Sequence, residues 1–251
     1  MKNDSSEVSR TVMLRFLFLV WFFLPGSTSA TPSPADEPKD RHYTDAGFFD
    51  IHVCNWPNRK LFFMTLFSTI RYDEVTGVKV MDPDGRLLVQ MDLGRYRIVN
   101  LKDQKEKHVF MNQVDIPEGS KDGVYSARIT LSDGTVYTAS DHVHIATMDR
   151  AGGLRPGNNE ETTDPPAELR WDPVPGARYY QVFIKDQWND GKQIYSSEVL
   201  SEPLLTLPQG LLKKGGLYSW FVHSRDVNED PLLGDFNHGS LSSPVEFSVS
   251  D

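Results

Sequence analysis

The chain has 251 residues, enough for two domains of ordinary size, and its 14 Phe, 9 Tyr and 5 Trp within a 39% hydrophobic composition belong to a folded protein, not a disordered one. Its formal charge of −9 argues against nucleic acid or an anionic membrane surface as partner, because either would favour a basic face. A single cysteine, Cys54, allows no intramolecular disulfide, so the fold must be held by burial alone.

At the N-terminus Arg15 precedes the apolar run Phe16 to Leu24, which Pro25-Gly26 breaks before the small residues Ser27-Thr28-Ser29-Ala30. This is the pattern of a secretory signal peptide over residues 1–30, since the run falls short of the roughly 20 apolar residues that span a bilayer. Met13 is a plausible alternative start to Met1. The leader carries Lys2, Arg10 and Arg15 against Asp4 and Glu7, so its removal takes the charge from −9 to −10. No Asn-x-Ser/Thr acceptor follows the leader. The expected localisation is exported, periplasmic or extracellular, with no integral span after cleavage. Residues 31–45, rich in Pro, Asp and Ser, read as a disordered linker.

Over residues 46–149 short apolar segments recur between turn signals: 49–54, 61–70, 75–81, 87–91, 109–116, 124–131 and 136–145. This spacing is that of an all-β sandwich. Asp82-Pro83-Asp84-Gly85 and Ser132-Asp133-Gly134 each predict a hairpin. In the second hairpin Tyr125, Ala127, Ile129 and Leu131 share one face, continued by Val143 and Ile145, while Ser126, Arg128, Thr130, His142 and His144 face outward.

Residues 151–166 are polar and rich in Gly and Pro, a domain boundary. Beyond it Leu169-x-Trp171, Tyr180-x-Val182, Leu205-x-Leu207-Pro208, Tyr218-x-Trp220-x-Val222 and Gly239-x-x-Ser242-x-Pro244 follow in order. Those five elements resemble a fibronectin type III domain, of the variety common in bacterial exported proteins, over about 151–251. Leu154-Arg155-Pro156 stands as its first strand, and Trp220 replaces the smaller residue usual in the family. Residues 46–149 are only generally immunoglobulin-like. The expected fold is therefore all-β, two tandem β-sandwich domains after a signal peptide.

Modules of this kind usually present surfaces, so the resemblance implies a non-catalytic binding or scaffolding protein of the bacterial envelope, not an enzyme, with a protein or an envelope polysaccharide as partner. No G-x-S-x-G, H-E-x-x-H or Walker-type run suggests catalysis, and no cofactor is expected. A polysaccharide- or cell-wall-binding accessory protein and an enzyme with an interdomain site are the alternatives. His142 and His144, with Asp141 beside them, offer two nitrogens on one strand face, but no third ligand is nominated and a solvated face is the simpler reading. Cys54, among apolar neighbours, reads as a small buried hydrophobe.

Two segments are candidate ligand contacts. Trp188 and Asn189, in a turn, could stack on and hydrogen-bond a sugar, and Trp56 invites the same question. Asp226, Asn228, Asp230 and Asp235 lie in a long polar loop of a kind that carries recognition in sandwich folds.

Overall fold

The computed structural model describes residues 41–101, 106–227 and 236–251. The leader and most of the linker lie outside the described residues. Order within the described chain begins earlier than the linker reading allows. Arg41 exchanges both backbone hydrogen bonds with Ser140, and Tyr43 packs its ring on Phe48 at 4.7 Å. Backbone pairing therefore holds a segment that has few apolar side chains to bury.

The first half contains β1 (Tyr43–Thr44), β2 (Gly47–Asn55), β3 (Phe62–Thr69), β4 (Val75–Met81), β5 (Leu87–Gln90), β6 (Tyr96–Asn100), β7 (Glu106–Asp115), β8 (Gly123–Leu131) and β9 (Val136–Val143). One layer runs β2-β3-β7-β6 and the other β5-β4-β8-β9. This is the strand order of an immunoglobulin-like sandwich. The expected parity holds: Tyr125, Ala127 and Ile129 are fully buried against Phe49, Phe63 and Phe67 of the facing layer, the Ile and each Phe contributing about 1.5–3 kcal/mol by burial. Gly134, at φ +86°, takes the left-handed conformation that the β8–β9 turn requires.

The second half contains β10 (Glu160–Thr162), β11 (Glu168–Arg170), β12 (Tyr179–Asp186), a 3-10 turn (Gln187–Asn189), β13 (Lys192–Ser196), β14 (Leu204–Thr206), β15 (Leu217–Arg225), β16 (His238–Leu241) and β17 (Val245–Val249). β13, β12 and β15 are neighbours, β16 and β17 both pair with β15, and β11 and β14 form the opposing sheet. Arg155 pairs with Arg170, so the expected first strand joins that small sheet. Leu169, Trp171 and Leu205 pack against Tyr180, Val182, Ile184, Trp220 and Phe247. Trp220 is fully buried, and its indole N–H donates to Pro156 O at 3.1 Å, which accommodates the large ring.

The two apolar cores are separate, yet the halves are joined by backbone. β16 pairs in parallel with β2, His238 opposite Val53 and Ser240 opposite Asn55. One sheet of eleven strands thus crosses both sandwiches. Asn55 Nδ2 donates to Met148 O (2.9 Å), and Ser240 Oγ to Asp149 O (2.6 Å), so side chains reinforce the seam. Gly239 sits at its centre because an added Cβ would lie 2.5 Å from the Phe236 ring and 2.9 Å from His223 Nε2.

Candidate functional site

Sharing a sheet makes the outward faces of the two halves continuous, and between them lies a groove of about 780 Å³. The first half contributes His52 and Cys54 of β2, Met64 of β3, Met111 of β7, Trp56, and Arg95 to Arg97 at the start of β6. The second contributes Gln181 and Phe183 of β12, Gln193 of β13, His223 and Arg225 of β15, and Phe236. These are positions that the parity of an isolated sandwich would leave to solvent.

Aromatic rings shape the groove. Phe236 stacks on His52 with centroids 3.6 Å apart and meets His223 edge-on at 5.2 Å, so it bridges the two halves. Phe183 stacks on Phe221 at 5.2 Å. Tyr96 is 46% exposed and rests on His108, which rests in turn on Tyr72. Trp56 packs edge-on against Phe62, and its buried indole N–H has no hydrogen-bond partner among the described residues.

The groove is basic although the chain is acidic. No Asp or Glu is among its described lining residues, whereas Arg95, Arg97 and Arg225 are. Arg225 is 8% exposed and donates to Gln181 Oε1 at 2.5 Å. Burial first, then the charge of Arg97 from the other half, pulls its pKa down to about 10, so it remains cationic at neutral pH. Two guanidinium groups from different halves therefore face one space. Burial, followed by the charges of Arg225 and His52, pushes His223 well below the usual imidazole range. Its Nδ1 accepts from Arg225 Nε at 3.4 Å, so the neutral ring carries its proton on Nε2, a buried donor with no partner among the described residues. Donors dominate here. Cys54 is not reactive, because burial pushes its thiol up to about 12.

The residues singled out in the sequence lie elsewhere. Trp188 is 72% exposed, with its backbone N–H capped by Asp186 and its indole N–H donating to Gly215 O at 3.1 Å. Asn189 closes the same 3-10 turn. Asp226 sits at the opposite end of the β12–β15 pair, and its carboxylate accepts from the backbone of Val227, Asn237 and His238 and from His238 Nδ1 (2.8 Å). It ties down the loop ends, and no common site unites it with Trp188. Asn228, Asp230 and Asp235 fall outside the described residues. His142 and His144 are exposed as expected, and His144 bonds Asp122, but Asp141 turns to the opposite, buried face. Strand alternation sends neighbours to opposite sides, which removes Asp141 from that pair.

No protein-family model and no curated protein matches the chain. Among solved structures, 82% of the chain aligns with 20% of dimeric latent PorU from Porphyromonas gingivalis, at 15% identity and a TM-score of 0.28. A glycan-utilization protein of Bacteroides ovatus, SGBP-B in complex with a mixed-linkage heptasaccharide, aligns over 86% of this chain and 46% of its own, at 14% identity and 0.25. The two-domain DIP-gamma IG1+IG2 aligns over 82% and 98%, at 13% identity and 0.23. The chain thus spans a fifth of PorU and under half of SGBP-B. Scores this low carry no functional argument, and the immunoglobulin-like assignment rests on strand order.

Proposed function

We propose that the chain is a non-catalytic, exported binding protein of the bacterial envelope whose junction groove holds an acidic oligosaccharide. The observation that carries this reading is the convergence of Arg97 and Arg225 from opposite halves in a groove whose described lining has no carboxylate. Both guanidinium groups would attract an anionic ligand into the groove. The exposed face of Tyr96 and the ring of Phe183 suit stacking on sugar rings, while the arginines suit carboxylate or sulfate groups in bidentate contact. A peptide strand is less favoured, because the groove floor is a sheet face whose backbone is already paired, not an open edge. Export is supported by the leader-like run before Ala30.

The test is calorimetric titration of the protein with oligogalacturonate and with a neutral oligosaccharide of equal length. Binding of the acidic chain, weakened at least tenfold in Arg97→Ala and by raised salt, supports the reading. Equal binding of both sugars, or of neither, refutes it.

A further inference from the structure

Behind the groove wall lies a second polar cluster, where the edge of β2 passes from one partner to another. The Phe49 N–H donates to His42 O and the Val53 N–H to Asn237 O, both at 2.9 Å. Between these attachments the Ile51 N–H points at two carboxylates, Asp141 Oδ2 at 2.8 Å and Asp50 Oδ1 at 2.9 Å. Asp50 and Asp141 are each 1% exposed. One oxygen from each and a ring nitrogen of His42 lie within 4.8 Å of one another. Asp141 Oδ1 is buried and has no hydrogen-bond partner among the described residues.

Two buried carboxylates side by side call for positive charge nearby, and the imidazoles of His52, beside Asp50, and of His42, beside both, supply part of it. A shared proton or a cation could relieve the pair. An imidazole converges on the carboxylates and is held in place: His42 Nδ1 bonds Phe49 O at 2.9 Å, and its ring stacks on Phe48. Asp50 is steadied from the other side by His52 Nε2 at 2.7 Å. Second contacts of this kind are how proteins orient metal ligands.

We propose that His42, Asp50 and Asp141 form a site for a divalent transition cation of the zinc or manganese class, which ties the segment entering β1 to the edges of β2 and β9. One nitrogen and two oxygens suit these ions better than calcium or magnesium. Solvent on the side of half-buried His42 completes the coordination. The site is independent of the groove's ligand.

The untagged full chain, dialysed against chelator, is titrated calorimetrically with zinc, manganese and calcium chlorides, and its melting is followed in parallel. One equivalent of zinc or manganese is expected to bind and, at a hundredfold excess over Kd, to raise Tm by about 5–10 °C. Asp141→Asn places an amide N–H against Asp50, so it should keep the metal-free Tm and lose the metal response. His42→Gln, which leaves both carboxylates, should bind at least tenfold more weakly and serves if the first variant does not fold. A double His142→Ala/His144→Ala variant should bind as the parent does. Absence of bound metal and of any Tm change in the parent, an undiminished response in Asp141→Asn or His42→Gln, or a response lost in the double variant overturns the proposal.

Discussion

Gly239→Ala tests whether the seam between the halves is a packed interior. The added methyl would sit 2.5 Å from Phe236 Cε2, 2.9 Å from His223 Nε2 and 3.2 Å from Phe236 Cζ, against an ordinary contact of 3.4–4 Å. The Phe236 ring, 5% exposed, must then move by about an ångström, away from its stack on His52. Overpacking of this size costs about 1–3 kcal/mol, which for a chain of this length lowers Tm by about 2–12 °C. Because Phe236 lines the groove, affinity for the acidic ligand should fall in the same variant. Calorimetric melting of Gly239→Ala, Phe236→Ala and the double variant isolates the clash with the ring: once the ring is gone, the alanine should cost less than it does in the parent, the approach to His223 Nε2 at 2.9 Å being what remains. A Gly239→Ala melting within a degree of the parent refutes the packed seam.

Further outcomes follow from other contacts. His238 Nδ1 faces the Asp226 carboxylate at 2.8 Å and its Nε2 faces His144 O at 2.7 Å, two acceptors that require both nitrogens protonated. The hydrogen bond to Asp226 raises the His238 pKa, so its contribution is fully present below about 6.5 and is lost as pH rises through the raised value. For Asp226, burial acts upward but the His238 bonds prevail and lower it, so its contribution is lost only as pH falls below the usual carboxylate range. Urea titrations at pH 5.5 and 8.5 should therefore show the parent losing stability relative to His238→Gln at the higher pH, and parallel curves would contradict the pairing. Trp220→Phe removes the donor to Pro156 O and part of a fully buried ring, and should cost about 2–4 kcal/mol in urea unfolding. Trp188→Ala, outside the groove lining, should leave calorimetric affinity for the acidic oligosaccharide unchanged and shift stability by less than about 1 kcal/mol.

Much of the fold is written in local alternation, and the candidate site is not. Tyr125 to Leu131 and Tyr218 to Val222 each bury one face of a strand, so period two is enough to place them. β6 escaped notice because Tyr96 and Ile98 are exposed and Arg97 lies between them, leaving no apolar stripe to read. The groove was hidden for a related reason. Gln181, Phe183, His223 and Arg225 occupy faces that an isolated sandwich gives to water, and only the long-range pairing of His238–Ser240 with Val53–Asn55 covers them. Asp50 and His52 alternate with Phe49, Ile51 and Val53, which parity assigns to solvent, although both are buried. A usable signal did exist. Phe183 and Phe221 are aromatic residues on outward faces of strands that pair directly, a pattern that marks a covered or ligand-bearing surface.

The most direct measurement is NMR mapping of the isotopically labelled protein as oligogalacturonate is added. Changes concentrated at the Arg97 and Arg225 side-chain Nε–H signals and at the amides of Phe183 and Gln193 are expected. Changes confined to the Trp188 turn or to residues 226–237, with the groove signals still, would contradict a binding surface at the junction.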